Sequence, residues 1–356
     1  MPTPEPKDGS ATTESGSGIR QPKRRWWLWT AVAILIVATT GGAAFAYVYQ
    51  EMHRPRSFDA RIFDVAPGTR LNQLADEFQR AGIIQESYSF VWWARLNDSA
   101  HRIKAGRYRF AERASLQEVL QQLVNGDVIQ YSITFIEGWT FRDFRRALAA
   151  NERIQHTSAS QSDAEIMAEL GFPDDHPEGR FFPDTYRFTA GVSDILILRR
   201  AHRRMTEILE QQWQTRNPDI VLKSTYETLI LASIIEKETG ATNERELIAG
   251  VMSNRLRLGM RLQTDPTVIY GLGEEFDGNL TRRHLRTDHA YNTYTRSGLP
   301  PTPIAMPGLA AIRATLNPAK TKALYFVSRG DGSHEFSDSL QAHQRAVRKF
   351  QLGKND

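Results

Sequence analysis

The feature that most constrains this chain is an uncharged apolar stretch near its N-terminus. Residues 26–49 read WWLWTAVAILIVATTGGAAFAYVY, without one charged side chain. A helix of this length rises about 36 Å, which is enough to cross the ~30 Å hydrocarbon core of a bilayer. Tryptophans at its start and tyrosines at its end are typical of residues at the two membrane interfaces. The sequence therefore predicts a single transmembrane helix over residues 26–49.

The residues around this stretch predict its orientation. Three basic residues at 23–25 precede it, so the positive-inside rule places the N-terminus in the cytoplasm. A basic group at residues 53–56 weakens that asymmetry. Residues 1–25 are rich in Ser, Thr, Pro and Gly, which predicts a disordered cytoplasmic tail. The alternative is a cleaved signal peptide, for which residues 43–46, Ala-Ala-Phe-Ala, offer a loose cleavage site.

Composition excludes several classes of function. The 45 basic and 41 acidic residues nearly balance and form no long run of like charge, so nucleic acid is not a predicted partner. The absence of cysteine excludes disulfides, thiolate metal sites and a cysteine nucleophile. The histidines at 284, 289, 334 and 343 show no metal-ligand spacing such as H-E-x-x-H. The sequence therefore predicts neither a metal nor another cofactor.

A small α+β unit is predicted over residues 58–127. A strand at 61–65 precedes a Pro-Gly turn and a helix that Thr69 could cap, and a second strand follows at 104–110. Residues 115–124 form another amphipathic helix, which Asn-Gly ends. The unit resembles a LysM-type glycan-binding module, chiefly in VAPGTRLNQLADEF. A strand-turn-helix of an unrelated fold is the alternative.

The larger part of the chain is also predicted to be α+β. Residues 128–222 would form a connecting part with helices at 140–150 and 194–214. Glu178 and Asp184 lie between these helices, in a segment dense in aromatic and turn-forming residues. They are candidate secondary acids, although structural roles in turns suit them better.

Residues 223–350 form the predicted catalytic part. A helix over 224–239, which Ser224 or Thr225 could cap, is its central element. On a wheel of 100° per residue, the apolar residues centre near 170° from Leu229. Glu238 falls at about 180°, within the apolar stripe, and Glu236 at about 340°, on the opposite side. An acid against apolar surface keeps its proton near neutral pH, which suits a general acid. Glu236 would face polar surroundings and stay ionised. The alternative is that the helix frays and both acids are solvated.

Several motifs resemble one known family. The segments are ASIIEKET, EGRFFPDTYRF, NRLRLGMRLQTDPTVIYGLG, AYNTYTRSGLPPTPIAMPG and NPAKTKALYFV. Together they resemble the YceG-like, or MltG-type, endolytic murein transglycosylases, over nearly all of the chain beyond the tail. In that family the catalytic acid is the second of the Glu-x-Glu pair, which corresponds to Glu238. Thr239 stands where other lytic transglycosylases have a serine after the acid.

The resemblance implies an enzyme that cleaves the MurNAc–GlcNAc β-1,4 bond of nascent peptidoglycan strands and leaves 1,6-anhydroMurNAc ends. It implies a bacterial inner-membrane protein with a periplasmic catalytic domain, peptidoglycan synthases as partners, and a role in terminating glycan elongation. It needs no cofactor.

Two polar segments are expected to bind the sugar rings. Residues 263–265 would form a sugar-binding turn, or a plain β-turn in which Asp265 caps the next segment. Residues 291–294 combine aromatic faces with polar edges, or hold buried tyrosines with satisfied hydroxyl groups. The predicted substrate-binding residues are Glu236, Gln263, Thr264, Asp265, Tyr291, Asn292, Thr293 and Tyr294.

Two other functions remain open at this level. One is a muramidase-type hydrolase, in which Asp265 acts as base or nucleophile beside Glu238. The other is a membrane-anchored peptidoglycan-binding scaffold without turnover. The chemical nature of the product ends separates the first rival from a transglycosylase, and the effect of Glu238→Gln separates the second.

Overall fold

The computed structural model describes residues 26–58, 62–241, 243–351 and 353. The predicted cytoplasmic tail, residues 1–25, lies outside the described residues. The chain divides into two compact units, of which the first ends at Asp127 and the second contains residues 128 onward together with 106–108. Helices and short strands alternate in both units. The predicted α+β class is therefore confirmed.

The first unit begins with α1, Trp26–His53, which is longer than predicted. In the described part of the chain it is the one helix long and apolar enough to cross a membrane. Its C-terminal turns pack on two later helices, which buries Met52 completely. The other elements up to Asp127 are β1 (Arg56–Ser57), β2 (Ile62–Val65), α2 (Leu71–Arg80), α3 (Ser87–Leu96), β3 (Gly106–Arg109), β4 (Arg113–Ala114) and α4 (Leu116–Asn125).

Aromatic rings form the core of the first unit. Phe78 of α2 is fully buried and contacts Phe63, Phe90 and Phe110 edge to face. The predicted Thr69 cap is wrong. Arg70 occupies the N-cap of α2 without a side-chain cap, because the Thr69 hydroxyl donates to the Ala66 carbonyl instead. Helix α3 was not predicted from the sequence.

The second unit contains three two-stranded sheets and nine helices among the described residues, besides a 3₁₀ turn at Gly273–Glu275. β5 pairs with β7 and β9 with β10, both antiparallel, and β6 pairs with β8 in parallel. The strands are β5 (Tyr131–Thr134), β6 (Ile154–Gln155), β7 (Thr185–Phe188), β8 (Val192–Ser193), β9 (Tyr325–Ser328) and β10 (His334–Ser337). The helices are α5 (Phe141–Ala149), α6 (Asp163–Leu170), α7 (Asp194–Gln214), α8 (Thr225–Glu238), α9 (Arg245–Arg257), α10 (Asp265–Leu272), α11 (Arg282–Arg286), α12 (Leu309–Leu316) and α13 (Leu340–Gln351).

Helix α8 runs through the core of the second unit. Ser224 caps it, as predicted, by accepting the Glu227 N–H at 3.1 Å. Every residue from 228 to 235 is buried, because α7, α9, α10 and α12 pack around the helix. A second apolar cluster lies around α5, α7 and the β5–β7 pair. The rigid core therefore fixes the C-terminal end of α8, where the two glutamates lie.

Candidate active site

Glu238 is the last residue of α8, and its side chain opens onto a cleft. The helix ends there because Thr239 adopts an extended conformation, with φ −144° and ψ 135°. The cleft has a volume of about 480 Å³. Its lining includes Glu238, Arg255, Gln263, Asp265, Tyr294, Tyr325, Phe326, His334 and His343. Polar and aromatic groups therefore surround one acid that the core holds in place.

The surroundings of Glu238 favour its protonated form. Burial raises the pKa of its carboxyl, and the nearby Asp265 raises it further. The Thr264 hydroxyl and the charges of His334 and Arg255 oppose this effect without reversing it. That hydroxyl is buried and has no hydrogen-bond partner among the described residues. Glu238 therefore has the character of an acid that keeps its proton above the usual glutamate range.

Arg255 of α9 braces one wall of the cleft. Its side chain is 8% exposed and donates to the carbonyls of Leu324 at 2.6 Å and Leu262 at 2.9 Å. Its guanidinium also lies over the ring of Tyr325, 5.0 Å from the centroid. One buried cation thus joins the end of α9, the segment before α10 and strand β9.

His334, at the start of β10, also lines the cleft. Its Nδ1 lies 2.7 Å from Glu244 Oε2, and its backbone N–H donates to Glu244 Oε1 at 3.0 Å. Glu244 precedes α9, so this pair ties β10 to the segment just after Glu238. The pair fixes the imidazole beside the acid.

Two residues of the segment 263–265 line the same cleft as Glu238. Gln263 has φ 52°, a left-handed conformation that is uncommon outside glycine. Such strained residues often occur at functional sites. Asp265 makes no cap to α10; its Oδ1 accepts the Tyr294 hydroxyl at 2.5 Å. The capping alternative is therefore wrong, and Gln263 and Asp265 line the cleft.

Residues 291–294 divide between the cleft and the interior. Tyr294 lines the cleft. Asn292 is fully buried and donates to the carbonyls of residues 284, 285 and 287, and Thr293 bonds to the Thr264 N–H and Thr267. Tyr291 contacts Thr302 at 2.8 Å and lines a different cavity. For Tyr291, Asn292 and Thr293 the structure therefore favours the interior alternative over sugar contact.

Glu236 corrects the helical-wheel prediction. Its side chain is 5% exposed and does not face solvent, since it packs against α9 and the start of α12. Its Oε1 lies 3.1 Å from Arg245, and its Oε2 accepts the Gly308 N–H at 2.8 Å. Burial raises its pKa as well, against the hydrogen bond from Gly308 and the charge of Arg245. Both oxygens are engaged, so Glu236 links α8 to α9 and α12.

Gly308 lies in close contact with the side chain of Glu137. A Cβ atom there would lie about 2 Å from the carboxyl group of Glu137. Gly308 is also the N-cap of α12, whose first N–H groups need acceptors. The close approach of Glu137 and the bond from Glu236 thus place two carboxyls at this helix start.

Comparison with known proteins gives the family. Residues 63–349 match the model of the YceG-like family. The chain belongs to the YceG-like family. An endolytic murein transglycosylase of Bacillus subtilis is 28% identical over 335 residues, 88% of this chain and 92% of the relative. One from Streptococcus pneumoniae is 26% identical, over 80% of this chain and 57% of the relative. A crystal structure of a YceG-like protein from Listeria monocytogenes, 26% identical, covers 83% of this chain and 99% of its own with a TM-score of 0.51.

In this YceG-like chain, Glu178 lies outside the cleft. It is 3% exposed, accepts the Phe141 N–H and the Tyr270 hydroxyl, each at 3.1 Å, and lines a separate cavity of about 480 Å³. Burial raises its pKa to about 8. Asp184 is exposed and accepts the N–H of Thr185. The structural roles expected for these two acids agree with these contacts.

Sequence reasoning missed Arg255, Tyr325 and His334 as cleft residues. Two of them lie inside motifs that carried the family resemblance, so a closer reading could have found Arg255 and Tyr325. His334 belongs to none of these motifs. In the described part of the chain, no group of three or more His, Asp or Glu side chains is placed to hold a metal.

Proposed function

We propose that this protein is a membrane-anchored endolytic murein transglycosylase with Glu238 as its catalytic acid. It cleaves the MurNAc–GlcNAc β-1,4 bond within glycan strands and leaves 1,6-anhydroMurNAc ends. Relatives that span most of the chain are named endolytic murein transglycosylases. One observation supports the role of Glu238. Its carboxyl, whose pKa is raised by burial, lies at the wall of an open cleft.

The first step needs a proton donor. Glu238 donates its proton to the oxygen of the glycosidic bond as the bond to C1 breaks. Positive charge then develops on the sugar ring, and the Glu238 carboxylate that forms beside it is stabilised by the charge of Arg255. This buried cation therefore opposes a pKa so high that the acid could not give up its proton.

The second step needs a base and no water. The Glu238 carboxylate takes the proton of the C6 hydroxyl of the same sugar, and the hydroxyl oxygen attacks C1. One C–O bond forms for the one that broke, and Glu238 returns to its protonated state. The reaction is intramolecular, so orientation in the cleft replaces a second catalytic acid. Gln263, Asp265 and Tyr294, which line the cleft, hold the sugar in the required orientation.

The cellular location and the protein partners form a second part of the proposal. Helix α1 anchors the chain in the inner membrane with the N-terminus in the cytoplasm and both folded units in the periplasm. Its length and composition support a span. Residues 58–127 act as a LysM-like glycan-binding module. Peptidoglycan synthases, which make the strands, are the expected protein partners, and cleavage would end strand elongation.

Product analysis tests this proposal. Full-length protein in detergent is incubated with purified uncrosslinked glycan strands, and the new ends are identified by mass spectrometry. Glu238→Gln and Glu236→Gln are run in parallel, because they remove the same charge two residues apart. We expect anhydro ends from the wild type, none above background from Glu238→Gln, and the same product in reduced amount from Glu236→Gln.

Two rival functions give different results. The presence of Asp265 in the same cleft favours a hydrolase as the second candidate, and reducing ends from the wild type would establish it. Intact strands that nevertheless bind the protein would indicate a scaffold without turnover. Anhydro ends from Glu238→Gln at the wild-type rate would transfer catalysis to another residue.

A further inference from the structure

Helix α3 of the first unit exposes an apolar stripe. Tyr88, Trp92 and Leu96 lie four residues apart, which places them on one face of the helix. They are 57%, 45% and 56% exposed. The opposite face is buried through Phe90 and Ala94. Three large side chains in a row on one face mark an interaction surface more clearly than scattered apolar residues do.

This stripe is continuous with the membrane helix. Trp93 packs against Phe45, Tyr49 and His53 of α1, at ring-centroid distances of 6.2, 5.9 and 5.4 Å. Trp93 is also fixed by a hydrogen bond from its indole N–H to Gln117 at 2.6 Å. Its neighbour Trp92 contacts Phe45 at 6.2 Å. The last turns of α1 therefore hold α3 beside the apolar surface of the span.

The height of the contact along α1 indicates what covers the stripe. Phe45 lies 19 residues after Trp26, a rise of about 28 Å, and Tyr49 lies about 34 Å above Trp26. The hydrocarbon core is about 30 Å thick, and tryptophan and tyrosine are enriched at its edges. Trp92, beside Phe45, therefore lies at the level of the outer interface. Arg54, exposed and about 42 Å above Trp26, is level with the lipid headgroups.

We infer that Tyr88, Trp92 and Leu96 insert into the outer interface of the bilayer that α1 spans, so that the first unit lies on the membrane surface. This inference rests on the membrane anchoring in the proposed function. A short apolar face with aromatic residues, near a basic residue such as Arg54 at the headgroup level, suits a helix bound at the membrane surface. This face of the module then contacts lipid and is not free to bind sugar.

Depth-dependent quenching tests the inference on the full-length chain. The chain has no cysteine, so single cysteines can be introduced and labelled with an environment-sensitive fluorophore. Leu96→Cys and Tyr88→Cys report on the stripe, and Val37→Cys on the middle of the span. Gln79→Cys is the matched control, since it is an exposed position on α2 of the same unit. Each protein is reconstituted into vesicles with lipids brominated either near the glycerol end or near the methyl end of the chains.

We expect labels at 88 and 96 to be quenched several-fold more by the shallow bromines than the label at 79. The label at 37 should be quenched most by the deep bromines, which establishes the span separately. Trp92→Ala should reduce the quenching at 96 and leave that at 37 unchanged.

Three results would overturn the inference. Labels at 88 and 96 that resemble the label at 79, with 37 quenched, would leave the anchor intact and remove the docking. If added glycan strands change the fluorescence of the labels at 88 and 96 and lipid bromines do not quench them, this face binds sugar and not lipid. No quenching at 37 would overturn the anchor itself.

Discussion

The two glutamates at the end of α8 lie two residues apart but face different regions of the molecule. Glu236 points into the packed junction of α8, α9 and α12, where Arg245 and the Gly308 N–H engage both oxygens. Glu238 points into an open cleft, where the effect of burial on its pKa outweighs the effects of its polar neighbours. Burial raises the pKa of both. Under the proposed function, access to a substrate, and not the raised pKa alone, distinguishes the reactive acid Glu238 from the structural acid Glu236.

The largest expected effect is the loss of activity in Glu238→Gln. The amide keeps the size of the side chain but cannot transfer a proton, so turnover should fall by about 10²- to 10⁴-fold. The free energy of unfolding should stay the same or rise, because a poorly solvated carboxyl is removed. The release of anhydro ends and urea unfolding measure the two quantities. A variant that loses stability along with activity would contradict the contrast with Glu236.

The next largest expected effect is a change in the free energy of unfolding with pH, caused by the titration of Glu178. Between about pH 4.5 and about pH 8 the folded protein keeps the Glu178 proton that the unfolded chain loses. This contribution to stability is present at low pH and is lost as pH rises, at about 1.4 kcal/mol per unit. Wild type should lose roughly 5 kcal/mol from this group between those limits. Urea titrations of Glu178→Gln should show a weaker loss, whereas the exposed Asp184→Asn should follow wild type.

Glu236→Gln should mainly reduce stability. The amide leaves the buried Arg245 without its counter-charge, at a cost of about 2 kcal/mol. Activity should fall by a much smaller factor than in Glu238→Gln, since the cleft is unchanged. Equal losses of activity in both variants, at full stability, would mean that the two acids act together.

The smallest effect concerns Thr264→Val. The Thr264 hydroxyl favours the ionised form of Glu238, so its removal should raise the pKa of that acid further. The fall of kcat/KM at high pH should then move upward by up to about one pH unit, because one hydrogen bond contributes about 1 kcal/mol. Thr264→Ser keeps the hydroxyl and is the control. An unchanged pH profile in the valine variant would remove this contact from the account.

Much of the fold followed from local sequence. The helix at 194–214 and the cap at Ser224 were predicted from periodicity and capping residues, and both are present. Helix α1 extends four residues past the predicted span, because its last turns pack on α3 and α4 through Met52. The last residues of α1, 50–53, are mostly polar, so the hydropathy pattern could not show that the helix continues through them.

The site was harder to predict because polarity does not reveal position. The wheel required one apolar stripe, but every residue of α8 from 228 to 235 is buried. It therefore did not show that Glu236 is enclosed, although it placed Glu238 against apolar surface. Asn292 and Thr293 carry the same groups as sugar ligands yet organise the interior. His334 reaches the cleft through a tertiary contact with Glu244, 90 residues away in sequence. Local patterns contain no signal for such contacts.

The most direct test of the central claim is cleavage in water labelled with oxygen-18. If Glu238 drives an intramolecular attack by the C6 hydroxyl, no solvent oxygen enters the product, and the new ends have the mass of unlabelled anhydro sugars. A hydrolase adds one labelled oxygen to each new end. Anhydro ends free of label, absent in Glu238→Gln, are the predicted result. Labelled reducing ends from the wild type would contradict it.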